Sequence, residues 1–248
     1  MILFMRIHKT AGEALAKQIS DHLPAGAVFP GKFDWQVRAT PAAELRRHRF
    51  FEGHITPSSL SALSAQVTVF TMLRDPRERL LSCFYYWKQG ARHTKGEFFE
   101  AMAPLSLLDF LRSEDPIIRR VTWNVQARLL AGGQFGGVDH QRQAVFGPWL
   151  DETALAGEAL RALDRFAFVG TTEQYDESLK RAFALLKLGE PPPPERINVT
   201  AARPASYARV MACPQVAQAL GALTEVDQIV YDAVRARASP STIIPPCA

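Results

Sequence analysis

The chain has 248 residues, of which 47% are hydrophobic and 22% are charged, and its formal net charge is +4. This composition is typical of a globular protein and excludes an intrinsically disordered chain, in which apolar residues would be fewer and the net charge larger. The positive charge comes without a dense stripe of lysine and arginine, which argues against a protein that binds nucleic acid.

The N-terminal part of the chain predicts a strand, a turn and a helix. Residues 2–7 form a short apolar run that is typical of a buried strand. A turn at residues 8–12 separates this run from leucine and isoleucine residues at helical spacing, and that helix is expected to end at Pro24 and Gly26. Residues 27–47 are predicted to form a loop.

Two further strands and a well-marked helix follow. Residues 49–53 predict a short strand, and residues 67–73, which are rich in β-branched side chains, predict another buried strand. The next helix has a strong start signal, because Asp75 is suited to the N-cap and Pro76 to the first helical position. Glu78 is expected to complete a capping box with Asp75.

The second half of the chain predicts mainly helices, with one more strand at residues 166–169. Helical patterns cover residues 119–131, 151–163, 173–188 and 224–237. Four prolines at 191–194 predict an extended surface loop rather than a domain boundary. Strands that alternate with helices predict an α/β fold with a central parallel sheet, which we expect to be a single domain over residues 1–248.

The ends of the chain and its cysteines bear on location. No apolar run approaches the roughly 20 residues that a membrane-spanning helix needs, and the apolar N-terminal segment is too short for a signal peptide. Cys83, Cys213 and Cys247 show no metal-ligand spacing and favour a reducing compartment. We therefore expect a cytoplasmic protein, and the sequence leaves its oligomeric state open.

The first chemical feature is the turn between the first strand and helix, where Lys9 and Thr10 precede Gly12. Unpaired N–H groups at a helix N-terminus bind phosphate, and a lysine adds a positive charge there. The nucleotide-triphosphatase loop has the pattern G-x-x-x-x-G-K-[ST], whose first glycine is absent here. A surface lysine in a connecting loop is the alternative interpretation.

The second feature lies after the strand at residues 67–73. Arg74 stands at its carboxyl end, where open α/β sheets bind ligands. Ser82 is expected to share one helical face with Arg79 and Tyr86. Arg74 and Ser82 are candidates for a second phosphate, distant from the first. The alternatives are an ion pair of Arg74 with a nearby carboxylate and a helix-surface hydroxyl at Ser82.

Together the two features resemble the sulfotransferases that use 3′-phosphoadenosine 5′-phosphosulfate, and within them the carbohydrate (heparan and chondroitin) type and its bacterial relatives. The family's 5′-phosphosulfate loop reads roughly I-P-K-T-A-G-T-S, and residues 7–14 here read I-H-K-T-A-G-E-A. Its 3′-phosphate motif reads roughly R-D-P-x-x-R-x-x-S-x-[YF], and residues 74–84 read R-D-P-R-E-R-L-L-S-C-F. Later segments agree, at residues 124–132, 166–175 and 198–203. The resemblance implies a P-loop-like, three-layer fold with a central parallel sheet flanked by helices.

The resemblance also implies site residues. Residues that would bind the donor are His8, Lys9, Thr10, Ala11, Gly12, Glu13, Ala14, Arg74, Ser82, Asn198, Thr200 and Arg203. Residues that would contact the acceptor are Asn124, Gln126 and Arg128. A Gly-His segment between the two motifs supplies the base in the glycan enzymes, which points to His54, with Lys9 as the cation at the leaving oxygen.

This chain departs from the family pattern in the first loop. The usual hydroxyl residues are Glu13 and Ala14, and the usual proline is His8. A carboxylate in the first helical turn suits the helix dipole but repels an anionic donor unless it points outward.

The expected activity is therefore in-line transfer of a sulfuryl group from 3′-phosphoadenosine 5′-phosphosulfate to a hydroxyl, without a metal. The acceptor is expected to be a glycan or a small hydroxylated molecule. One alternative is a non-catalytic relative that binds a nucleotide or a glycan. The other is a P-loop kinase-like phosphotransferase, which would need a longer glycine loop and an acidic residue for Mg²⁺.

Overall fold

The computed structural model describes residues 1–60, 67–90, 96–136, 145–147, 149–194 and 207–238. The central element is a parallel sheet, which confirms the α/β prediction. Its strands are β1 (Ile2–Met5), β2 (Phe50–Gly53), β3 (Thr68–Leu73) and β6 (Phe168–Thr171), in the order β2-β1-β3-β6. A small antiparallel hairpin pairs β4 (Gln134–Phe135) with β5 (Val145–Phe146).

Helices surround the sheet. In chain order they are α1 (Gly12–Ser20), α2 (Asp34–Ala39), α3 (Ala42–Leu45), α4 (Pro57–Leu60), α5 (Pro76–Gly90), α6 (Glu97–Met102), α7 (Leu107–Arg112), α8 (Pro116–Thr122), α9 (Val125–Leu130), α10 (Glu152–Ala162), α11 (Tyr175–Leu186), α12 (Tyr207–Met211) and α13 (Pro214–Ala238). A 3₁₀ turn follows α10 at Leu163–Arg165. Of the helices described, none is both long enough and apolar enough to cross a membrane.

Alternation along the strands creates the three layers. Phe4 and Phe70 lie side by side in register, with ring centroids 4.7 Å apart, and pack with residues of α1 and α11 on one face. Leu3 and Val69 point to the opposite face and pack with residues of α9, α10 and α13. Successive strand residues point to opposite faces, so apolar runs without polar interruption are what a strand covered on both sides requires.

Several predicted elements are wrong in detail. The loop predicted at residues 27–47 contains α2 and α3. The single helix predicted at residues 119–131 is two helices, because Asn124 adopts a left-handed conformation with φ 41° between α8 and α9. The last helix begins at Pro214 rather than at residue 224, and Thr224 (φ −127°) is the kink within it.

The start of α5 confirms half of the predicted capping box. The carboxylate of Asp75 accepts from the backbone N–H of Glu78 at 3.0 Å, as expected of an N-cap. The N–H of Asp75 donates instead to Glu173, at 3.2 Å, and the Glu78 carboxylate pairs with Arg74 at 2.8 Å. The second half of the box is therefore supplied from the turn after β6.

Candidate functional site

The turn between β1 and α1 contains two residues in the left-handed conformation although neither is a glycine. Lys9 (φ 65°) and Ala11 (φ 58°) both occupy the left-handed region, which disfavours residues with a Cβ. The buried hydroxyl of Thr10 donates to the carbonyl of Ile7 at 2.9 Å and so closes the turn. Backbone strain of this kind is concentrated at functional sites, and here it brings the chain directly into the N-terminus of α1.

Lys9 and Arg74, expected at separate phosphates, adjoin one another. The Arg74 guanidinium donates to the backbone carbonyl of Lys9 at 3.5 Å and forms its ion pair with Glu78. The Lys9 ammonium lies 4.2 Å from the centroid of the Tyr86 ring. Burial lowers the pKa of Lys9; the adjacent Arg74 lowers it further, while Cys83 and Glu13 act to raise it. Two cations therefore share one partly buried edge of the sheet.

The α5 face that follows Arg74 borders this edge. Ser82 is buried and Tyr86 is 47% exposed, whereas Arg79 is completely buried. Burial raises the pKa of the Cys83 thiol, and Arg79, Lys9 and Arg74 all act to lower it, which places this turn of α5 beside the cations. The predicted shared face thus runs from the protein interior at Arg79 to the surface at Tyr86.

His54 and His8 meet at the carboxyl ends of β1 and β2. Their imidazole rings are stacked with centroids 3.7 Å apart and planes 10° apart. The Nδ1 of His54 lies 2.9 Å from the carbonyl of Arg6. Because a carbonyl only accepts, Nδ1 carries the proton and Nε2 of His54 is left as the basic nitrogen.

Both histidines are held neutral. Burial lowers the pKa of His54 to about 3, with the positive charge of Arg6 adding to the effect and the Arg6 carbonyl opposing it. Burial also lowers the pKa of His8 well below its usual value, and His54, Arg79, Arg6 and Lys9 lower it further. Neutral imidazole is the form that accepts a proton, and a bound anion would raise the low pKa of His54 toward the range of an effective base.

A buried carboxylate pairs with Arg6, whose carbonyl contacts the Nδ1 of His54. Glu52, on β2, is paired with Arg6 at 2.8 Å and also with Lys32. Gly53 allows the Lys32 segment to approach, since its φ is 145° and an added Cβ would lie 2.3 Å from the Lys32 carbonyl. That carbonyl accepts from the N–H of His54 at 2.7 Å, and the His54 carbonyl accepts from the N–H of Asp34 at 3.1 Å, so both backbone groups of the histidine are bonded to this segment.

The residues predicted to contact the acceptor lie in the interior. The Gln126 amide accepts from the N–H of Arg74 and donates to its carbonyl, both at 3.0 Å. The Asn124 amide oxygen accepts from the N–H groups of Val226 and Asp227, at 3.0 and 3.2 Å, where α13 resumes after its kink. Their contacts hold α9, α13 and the end of β3 together, and an acceptor role for them stays a prediction.

Arg128, the third of that group, is also completely buried. It donates to the carbonyls of Val145 and Trp123, and its guanidinium lies 3.9 Å from the centroid of the Trp149 ring. Burial lowers its pKa to about 10, while Asp227 acts to raise it.

The remaining predicted donor residues divide into two groups. Gly12 and Ala14 are buried at the start of α1, and Glu13 is exposed there. An added Cβ at Gly12 would lie 3.1 Å from the Arg6 side chain, so a larger residue would crowd the turn. Asn198, Thr200 and Arg203 lie outside the described residues.

Several residues that stabilise the surroundings of the site were not predicted from the sequence. Glu173 caps α5, and Phe135 of β4 packs 4.9 Å from the His54 ring. Asp227 accepts from the N–H of Ala127 at 2.7 Å and so caps α9, while Asn124 before α9 accepts from N–H groups of α13. Glu52 carried a usable signal, because a lone carboxylate inside an apolar strand must be paired when buried.

In the described ranges, no group of three or more His, Cys, Asp or Glu side chains is arranged to hold a metal ion. The donor set at the edge of the sheet is cationic, and cations with helix N–H groups suit an anionic ligand.

No family model matches the chain, and no curated protein matches it. Among solved structures, a match is the crystal structure of mouse sulfotransferase SULT7A1 complexed with PAP, at 16% identity and a TM-score of 0.37. The match covers 88% of this chain and 64% of the mouse protein, so the chain spans less than two thirds of that protein's length. At this level of similarity the match carries no conclusion about activity.

Proposed function

We propose that the protein transfers a sulfuryl group from 3′-phosphoadenosine 5′-phosphosulfate to a hydroxyl of an acceptor, a carbohydrate in the first instance. The observation that carries the proposal is the position of the Lys9 turn. The Arg74 guanidinium donates to the Lys9 carbonyl, and His8, whose ring stacks on His54, directly precedes Lys9 in the chain. A place for a polyanion thus lies beside a neutral base.

The donor fits the chemistry of these residues. It carries about four negative charges, and bringing such a ligand to a partly buried edge requires cations close by. Lys9 and Arg74 supply them, and the N-terminus of α1 adds N–H donors. Glu13, the departure from the family loop that would repel the donor, is exposed at the surface. Two cations, rather than a metal ion, are the groups proposed to hold the phosphates.

The proposed transfer is a single in-line step. The acceptor oxygen forms a bond to sulfur while the bond from sulfur to the bridging oxygen of the donor breaks. The acceptor proton passes to Nε2 of His54, the nitrogen left unprotonated by the Nδ1 contact. Negative charge grows on the departing 5′-phosphate, and the ammonium of Lys9 is suited to offset it.

An exposed tryptophan supports a sugar as the acceptor. Trp149 is 55% exposed, and its ring is stacked 5.6 Å from that of Trp123. Arg128 holds this ring from within and bonds to β5, whose partner strand β4 carries Phe135 against His54. A flat aromatic face held to the hairpin that packs Phe135 against His54 is suited to the apolar face of a sugar ring.

Ligand-dependent stability tests the donor assignment. Melting of the protein is compared with 3′-phosphoadenosine 5′-phosphate, with AMP, and with ATP plus Mg²⁺. At a concentration near 100 times its dissociation constant, the 3′-phosphorylated nucleotide should stabilise the fold by about 2.7 kcal/mol. AMP should stabilise it far less. Stronger stabilisation by ATP with Mg²⁺ would favour the phosphotransferase and overturn the proposal.

Transfer of labelled sulfate tests the base. His54→Ala should abolish transfer to glycan or phenol acceptors while the 3′-phosphorylated product still binds. His48→Ala, which replaces a histidine just before the amino end of β2, should leave transfer intact. Lys9→Ala should depress both binding and rate, with Lys17→Ala on α1 as the matched lysine control. Normal turnover by the His54 variant would refute the base assignment. Binding without transfer by the wild type would favour the non-catalytic alternative.

Trp149→Ala tests the acceptor. For a sugar acceptor, we expect KM to rise about tenfold with kcat and donor binding unchanged, because the aromatic face contributes uniform binding. An unchanged KM for every sugar tested would show that Trp149 is not part of the acceptor site.

A further inference from the structure

The histidine pair contains one ring that the proposed reaction does not use. His8 adjoins Lys9 in the chain, is buried, and stacks face to face on His54. Its ring also meets Trp87 and Phe135, with centroids 6.4 and 5.8 Å away. One face of His54 is therefore covered by a flat ring that is itself locked between aromatic side chains.

Two imidazolium ions cannot stack at 3.7 Å without strong repulsion in a low-dielectric interior, so the arrangement requires that at least one ring be neutral. A ring that covers one face of His54 also keeps water from it and restricts its rotation. The contact from Nδ1 to the Arg6 carbonyl then selects the tautomer.

We propose that His8 is a positioning residue for His54, with a stacked ring that holds the base in the orientation in which the Arg6 carbonyl selects its tautomer, and that limits the pair to at most one positive charge. The proposal rests on the proposed role of His54 as the base. The resemblance implies a different task for His8, as a contact to the donor, so the two roles predict different effects of its removal.

Positively charged groups act on the histidine pair from β1, from the following turn and from α5. Arg6 at the end of β1, Lys9 in the following turn and Arg79 of α5 all disfavour a proton on His8. Glu52 of β2 forms ion pairs with Arg6 and Lys32. The net field is positive, in agreement with a pair that stays neutral.

Nuclear magnetic resonance of the free protein tests the arrangement without any acceptor. With ¹³C and ¹⁵N in the histidine rings, we expect His54 of the wild type to show a protonated Nδ1 and no titration between pH 7.5 and about 4.5. His8→Ala should bring a titration of His54 into that range, as water reaches the ring. His8→Phe should keep it out, because a phenyl ring restores the cover. His22→Ala, at the end of α1, is the control and should leave the His54 signals unchanged.

Wild-type His54 that titrates near its ordinary value, or signals of His54 that His8→Ala leaves unchanged, would overturn the positioning role. So would a His8→Phe variant in which His54 titrates as it does in His8→Ala. If His8→Ala does not fold, His8→Asn, which also lacks an aromatic ring to cover His54, takes its place in the same comparison.

Binding and turnover separate this inference from the proposed function. A positioning role predicts that His8→Ala lowers kcat by about tenfold or more while the dissociation constant of 3′-phosphoadenosine 5′-phosphate changes less than about twofold. Weaker nucleotide binding with kcat intact would make His8 a donor ligand and overturn the inference. If the wild type transfers no sulfate at all, the proposed function fails, whereas the resonance experiment still reports on the ring pair.

Discussion

Replacement of Gln126 by methionine removes two hydrogen bonds from the end of β3 with little change of side-chain volume. The amide is completely buried, and both of its bonds go to the backbone of Arg74, at 3.0 Å each. Methionine cannot make either bond, so the N–H and the carbonyl of Arg74 lose these partners. The arginine that we place at the nucleotide is then no longer fixed to α9.

The expected cost follows from the two bonds. At about 0.5–1.5 kcal/mol for each, the free energy of unfolding should fall by about 1–3 kcal/mol. A loss near 2 kcal/mol lowers the melting temperature of a protein of this size by about 4–8 °C. The measurement is urea unfolding followed by tryptophan fluorescence, with the midpoint and the slope fitted separately. Binding of 3′-phosphoadenosine 5′-phosphate should weaken as well, because its cation is less well placed.

Gln18→Met is the matched control. Gln18 is a buried glutamine of α1 that donates to the Pro193 carbonyl and accepts from Tyr175, at 2.8 and 2.7 Å. Its loss should destabilise the protein by a similar amount and leave nucleotide binding unchanged. If Gln126→Met instead unfolds within about 0.5 kcal/mol of the wild type while the acceptor KM rises tenfold, Gln126 contacts the acceptor and the structural reasoning is wrong.

Three further predictions follow from single contacts. Arg74→Ala should weaken binding of the 3′-phosphorylated nucleotide about tenfold or more by calorimetry, whereas exposed Arg77→Ala on the same helix should not; equal effects would refute the assignment. Gly53→Ala should lose more than about 2 kcal/mol of stability in urea, because its Cβ would lie 2.3 Å from the Lys32 carbonyl; a tolerated alanine would show that the segment shifts easily. His54 has a folded-state pKa of about 3 against an ordinary 6.5, so unfolding takes up protons between these values. The contribution of His54 to the free energy of unfolding is then fully present above pH 6.5 and falls on acidification by up to about 1.4 kcal/mol per pH unit. Urea titrations at pH 7 and 5 should show this fall, and equal stability at the two pH values would contradict the low pKa.

The sheet was predictable because its strands are covered on both faces. An apolar run such as that around Phe70 is favourable only where both sides of a strand are buried, and the helix start at Asp75 carries its own capping signal. The strand predicted at residues 166–169 forms two residues later, at Phe168–Thr171. Local patterns locate such elements well and their ends less well.

The break at Asn124 was not predictable from local propensity. The surrounding residues favour a continuous helix, and the left-handed conformation at this position is stabilised by contacts with α13, a hundred residues later. The same holds for Gln126, whose motif position suggested a ligand contact. Gln126 bonds to the backbone N–H and carbonyl of Arg74. Because nearly every residue type offers these groups, the contact cannot be inferred from the sequence. The stacking of His8 on His54 likewise depends on the parallel pairing of β1 with β2.

The mutual caps of α9 and α13 set an order for assembly of the site. Asn124 accepts from the N–H groups of Val226 and Asp227, and Asp227 accepts from the N–H of Ala127, the residue after Gln126. During synthesis, α9 therefore lacks its cap until the chain has emerged beyond about residue 230. Until then, the contact of Gln126 with Arg74 depends on a helix that lacks its cap. The last long helix, distant from Arg74 in sequence, thus completes the support of a residue in the first third of the chain.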